Sequence, residues 1–183
     1  MIEILRTLVN FLISLFSGEL PGIYYMWIIT LLIVQILQST LNYHFFNKKG
    51  KFSNYTMEGL LTFLILLIGS MLLSKLLAYI IEDSVINKTE LTHYYVSLII
   101  VTIFVAITCI KDLIEKIIKH RNMSLLTFSI LSLIVSILSF KLLLPLTGGS
   151  FTLSKSFINT LIIVVTGTIV LLISLEEKYV DEK

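Results

Sequence analysis

The side chains able to do chemistry in this sequence are few and scattered. One cysteine, Cys109, and three histidines, His44, His93 and His120, make up its thiol and imidazole groups. A single cysteine precludes an internal disulfide and any cysteine-based zinc site. No HExxH, GxSxG or phosphate-loop pattern occurs. A cysteine nucleophile needs an imidazole close by to form its thiolate, and His44 and His120 are the candidates for Cys109. Cys109 lies within an apolar run, where a thiol reads as a small packing residue. The inventory therefore calls for no catalytic residue, no metal and no cofactor.

Other polar residues stand inside apolar runs, where their spacing carries meaning. Gln35, Gln38 and Asn42 recur at helical steps and draw an amide stripe that is unsuited to face lipid. Ser129, Ser132, Ser136 and Ser139 follow a 3-4-3 rhythm that sets four hydroxyls on one helical face. Ser70 and Ser74 form a small-xxx-small pair, and Thr160, Gly167 and Ser174 repeat at sevens. Two readings fit these seams. Small residues let helices close up and hydroxyls bond the preceding turn, or the amides and serines line a water-filled path. Lys75 and Lys141 are the strong cations inside apolar runs. Each falls near a helix end, so it either snorkels to the headgroups or pairs with an acid such as Glu82, Asp83 or Glu90.

These residues must be positioned by membrane helices. The apolar stretches run over about 24–46, 57–81, 95–118, 123–144 and 155–175, and a helix of about 20 residues spans the ~30 Å hydrocarbon core. The chain is 56% hydrophobic and 14% charged, with mean hydropathy +0.96. A soluble domain carries roughly 25% charged residues. The polar connections are too short to bury a core outside the bilayer. The expected class is all-α, a polytopic membrane protein of five transmembrane helices plus an N-terminal amphipathic helix. The chain forms a single integral domain over 1–183, with no soluble domain.

The amphipathic helix covers 1–17 and stops before the Leu20-Pro21-Gly22 break. Glu3, Arg6, Thr7, Asn10, Ser14 and Ser17 form a narrow polar stripe along it. Such a helix either lies in the interface, partly inserted, or crosses as a short sixth span with its stripe against the bundle. Glu3 and the lack of a small-residue cleavage site argue against a signal peptide.

Orientation follows from basic residues, because cytoplasmic loops retain them. Lys48, Lys49, Lys51, Lys111, Lys116, Lys119, Arg121, Lys178 and Lys183 fall on one side, nine of the 14 basic residues. That side, with the C-terminus, is expected in the cytoplasm. Lys111, Lys116, Lys119 and Arg121 form a basic end to the third span that contacts anionic lipid or docks a cytosolic protein. A net charge of +2 and the lack of an aromatic-basic surface outside the membrane argue against nucleic acid. The several small-residue seams favour a homo-oligomer.

Glu176-Glu177 resembles the paired glutamates of prenyl-type membrane proteases, yet the downstream arginine of that motif is missing and the pair lies outside the span. It reads as a solvated acidic tail. In general form the chain resembles small multi-span components of bacterial and phage systems, among them membrane subunits of phage-defence operons and lysis or immunity proteins. That likeness and the Lys-, Ile- and Asn-rich composition imply a bacterial inner-membrane location. The expected function is a non-enzymatic subunit that senses or alters membrane state with a soluble partner. The alternative is a small channel or transporter component for ions or small solutes.

Overall fold

A computed structural model describes residues 2–46, 52–81, 90–117, 125–147 and 153–181, with side chains described over 6–41, 56–81, 90–114, 125–147 and 153–171. The described chain is almost entirely helical. Its helices are α1 (Ile2–Ser17), α2 (Gly22–Phe46), α3 (Phe52–Ile80), α4 (Glu90–Ile117), α5 (Leu125–Leu143) and α6 (Lys155–Asp181), with a 3-10 turn at Leu144–Thr147. Four segments are long and apolar enough to cross a bilayer: Gly22–Leu41, Thr56–Ile80, Glu90–Ile114 and Leu125–Thr147. Arg6–Ser17 and Lys155–Leu171 are shorter apolar helices.

Local chemistry sets the helix ends. Gly18 adopts φ 78° after α1, and the Glu19 amide returns to the Ser14 carbonyl at 3.2 Å. This is a left-handed C-cap that only glycine makes without strain. Pro21 then stands just outside α2, its carbonyl accepting from the Tyr24 amide at 2.8 Å. α4 starts at Glu90, five residues before the expected start of the third span. An acid in the first turn complements the helix dipole, so the polar run from Glu90 to His93 extends the helix instead of ending it. α5 ends in the tighter turn around Pro145, which has no amide hydrogen to continue the ladder. α6 is capped by Ser154, whose Oγ accepts from the Phe157 amide at 3.2 Å.

Two compact units make up the chain. The first comprises Met1–Ile80 and Lys88–Val101, so it holds α1, α2, α3 and the first part of α4. In that part of α4 every residue from Thr92 to Val101 is buried. α2 packs on α3, and at Gly59 an added Cβ would stand 3.2 Å from the Ser39 Cβ and 3.5 Å from the Gln35 carbonyl oxygen. The second unit comprises Ile81–Asn87 and Thr102–Lys183. Within it α5 packs along α6, burying Phe128, Ser132, Ser136 and Phe140 of α5 and Phe157, Leu161, Val165 and Ile169 of α6.

The outward surface is strongly apolar. Phe16, Met26, Met57, Tyr79, Leu126, Leu142 and Ile163 are all more than 60% exposed. Hydroxyls on exposed faces are satisfied on their own helix. Thr30 Oγ1 donates to the Met26 carbonyl and Thr168 Oγ1 to the Val164 carbonyl, each at 2.8 Å. A lipid-facing hydroxyl needs such a partner because no water is present to supply one.

Candidate functional site

A polar cluster gathers around the first two turns of α4, from exposed Glu90 to buried His93, and α1, α2 and α3 each contribute to it. From α3, Ser74 Oγ lies 3.2 Å from His93 Nδ1, and both residues are buried. From α1, Asn10 Nδ2 donates to both Glu90 carboxylate oxygens, at 3.1 and 3.3 Å. Tyr94 Oη also donates to Glu90, at 3.3 Å, across one helical turn. From α2, Tyr24 Oη donates to the Tyr94 carbonyl at 3.3 Å. Lys75 and Glu90 are the charged neighbours of His93.

An aromatic plug fills the space beneath these bonds. Phe11 and Tyr24 are fully buried. The Phe11 ring lies 6.4 Å from Tyr24 and 5.0 Å from Tyr94, and Tyr24 meets Tyr95 edge-on at 5.5 Å. Tilted and edge-on pairs at these separations are favourable beyond the area they bury. Tyr25 Oη adds bonds to the carbonyls of Ser14 and Leu15, at 3.1 and 3.0 Å. The polar stripe of α1 is therefore turned partly toward the protein: Thr7 is buried, Asn10 bonds Glu90, and the Ser14 backbone receives Tyr25. Val9, Ile13 and Phe16 form the exposed apolar face of the same helix.

The chemistry available here is hydrogen bonding and charge balance. Ser74 occupies His93 Nδ1, and both side chains are closed off from solvent. Among the described residues no group of three or more His, Cys, Asp or Glu is arranged to hold a metal.

The other residues singled out by sequence divide into three sets. The α5 serines fall on the α5–α6 seam: Ser132 and Ser136 are buried, and Ser129 and Ser139 are half-buried. Ser136 Oγ donates to the Ser132 carbonyl at 2.7 Å and sits 3.3 Å from Thr166 Oγ1. Ser129 Oγ donates to the Leu125 carbonyl at 2.8 Å, while Ser132 Oγ is buried without a hydrogen-bond partner. In the amide stripe, Gln35 Oε1 is likewise buried without a partner and Gln38 is half-buried. The side chain of Asn42 lies outside those described. Among the cations, Lys75 is half-buried beside the His93 cluster, and Lys141 is exposed in the last turn of α5, where its charge complements the helix dipole. Lys111 is half-buried near the end of α4. The side chain of Lys116, together with Lys119 and Arg121, lies outside what is described.

Sequence reasoning registered His93 only as one of three histidines and Ser74 only as a small packing residue. Their partnership joins two helices, so no single-helix periodicity reveals it. The Glu90–Tyr94 pair at i and i+4 went unread because both residues precede the expected start of the third span at 95.

Among the described residues the chain is almost entirely helical, with four helices long and apolar enough to span a membrane. The chain belongs to DUF5823, a family of unknown function, whose model matches residues 1–175. No curated protein and no solved structure matches it.

Proposed function

We propose that this protein is a non-enzymatic, multi-pass subunit of the bacterial inner membrane that senses or alters membrane state together with a soluble partner. In this reading α2 to α6 supply five crossings, with the 27 residues of α6 long enough for the fifth. α1 is partly inserted as part of the first unit, and the basic loops and C-terminus face the cytoplasm. The system is of the phage-defence, lysis or immunity kind whose small multi-span components the chain resembles. The protein self-associates, and the basic end of α4 is the surface offered to a cytosolic partner.

The observation that carries this reading is that buried polar side chains are mostly spent on one another or on backbone carbonyls. Ser74 pairs with His93, Ser136 with Thr166, and Ser70 with the Leu67 carbonyl at 2.9 Å. Groups bonded in this way hold helices together and are withdrawn from a solute path or a substrate. A packed membrane unit of this kind acts through what it contacts. Purification of tagged protein in mild detergent, with native mass and identification of what co-elutes, tests this. The expected result is a soluble protein in fixed stoichiometry, and elution of the chain by itself counts against it.

The second reading, a small channel or transporter component, is favoured by Gln35. Its buried Oε1 has no partner beside the α2–α3 contact, and an unpaired buried acceptor is costly unless water or a solute reaches it. Under that reading a Gln35→Leu substitution abolishes solute flux.

A further inference from the structure

α1 has 16 residues, about 24 Å of helix where the hydrocarbon core measures ~30 Å. Its partners show how it is set. Asn10 bonds Glu90, the first residue of α4, and Phe11 meets Tyr94 one turn on. Tyr25, in the opening turn of α2, bonds the carbonyls of Ser14 and Leu15. The openings of α2 and α4 stand side by side, since Tyr24 Oη reaches the Tyr94 carbonyl, and both begin segments long and apolar enough to span. Asn10 and Leu15 are about 8 Å apart along α1, yet both are held at that one end of the first unit. α1 therefore runs across the helix ends and not down beside them.

Charge also disfavours an upright α1. Continuing down from Ser17, such a helix would carry Arg6 about 16 Å into the bilayer, near the centre of the core. Arg6 is exposed, so its guanidinium would stand in lipid, where a charge is costly. Laid across the ends, α1 keeps Arg6 beside water, and its exposed apolar residues are Val9, Ile13 and Phe16, on the side opposite buried Thr7 and Phe11.

We infer that α1 is the lipid-reading surface of this protein: it lies in the plane of the interface, latched to α4 by Asn10 and Phe11, and inserts Val9, Ile13 and Phe16 among the upper acyl chains of one leaflet. The inference rests on the membrane-sensing reading and names what is read. Interfacial helices bind through buried apolar area and through attraction of basic residues to anionic lipid. The charged residues of α1 are one acid, Glu3, and one base, Arg6, and Glu90 adds a carboxylate at Asn10, so the second contribution is missing. What remains is the room between acyl chains for bulky side chains. α1 therefore responds to how tightly a leaflet is packed and not to its charge.

Val9→Trp and Phe16→Trp, each with Trp27, the single tryptophan, changed to Phe, place an indole toward either end of the apolar flank. In the full chain reconstituted into phosphatidylcholine liposomes, lipids brominated high or low on the acyl chain report the depth of each indole. The two should be quenched alike, and more strongly by bromines high on the chain. An upright helix would set Val9→Trp about 10 Å deeper than Phe16→Trp. Such a difference, or no quenching at either site, overturns the inference. Cholesterol, which tightens the leaflet, should lower the quenching, and phosphatidylglycerol in place of part of the phosphatidylcholine should leave it unchanged. Quenching that follows phosphatidylglycerol and ignores cholesterol overturns the assignment to packing. Arg6→Cys and Ser17→Cys, each with Cys109 changed to Ser, cover a tryptophan variant that fails to fold. An impermeant maleimide should reach both from the same side of sealed vesicles, and labelling from opposite sides overturns an in-plane helix. Extraction of the whole chain from membranes by alkali would instead contradict the membrane reading itself.

Discussion

Ser74 and His93 each depend on the other, since both are buried and 3.2 Å apart. Ser74→Ala leaves the imidazole Nδ1 without its partner, and an orphaned buried polar group costs about 1–3 kcal/mol. A lower thermal midpoint in detergent is the expected result. Adding His93→Phe should recover part of the loss, because the double change removes both members of the pair. Additive losses would show that the two side chains do not act together. Phe11 is a different kind of residue, a fully buried ring that joins α1 to Tyr24 and Tyr94. Phe11→Ala should cost about 3 kcal/mol or more, read as a larger drop in midpoint than Ser74→Ala. Lys141 is exposed in the last turn of α5, so Lys141→Leu should leave assembly and midpoint within about 0.5 kcal/mol of the parent. Loss of assembly would assign Lys141 a partner instead of a headgroup.

At the scale of elements, a glycine stands at the α2–α3 contact. A side chain at Gly59 would meet Ser39 at 3.2 Å, whereas one at Gly69 meets nothing within 4 Å. Gly59→Leu should therefore separate the helices at a cost of about 1–3 kcal/mol, and Gly69→Leu should be tolerated. Equal midpoints for the two variants would remove the close approach from the account. The helices themselves were legible in sequence because a chain in lipid must satisfy its backbone within each segment, which leaves long uninterrupted apolar runs. The serine rhythm of α5 was legible for a related reason. A 3.6-residue period writes one buried face into the sequence, and Ser132 and Ser136 lie on it. The start of α4 was not, because the polar residues Glu90, Thr92 and His93 lower hydropathy while other helices bury two of them. What covers a helix face depends on residues distant in sequence. Ser74 is 19 positions from His93, and Asn10 is 80 from Glu90.

For the whole molecule, the balance between its two readings turns on where polar groups are spent. Most described hydroxyls bond a carbonyl or one another, and the exposed shell is aliphatic and aromatic. An apolar shell of this kind is compatible with lipid, and the proposed sensing subunit calls for a polar interior closed against water where a conduit calls for an open one. Gln35 Oε1 and Ser132 Oγ are the exceptions among the described residues, and the amide is the one a conduit would exploit. The most direct measurement is ion and small-solute flux through purified protein reconstituted in liposomes, beside protein-free liposomes and a Gln35→Leu variant. The account predicts flux no greater than in the protein-free liposomes. Flux that appears with the protein and disappears with Gln35→Leu would contradict it and make the amide stripe of α2 the lining of a path.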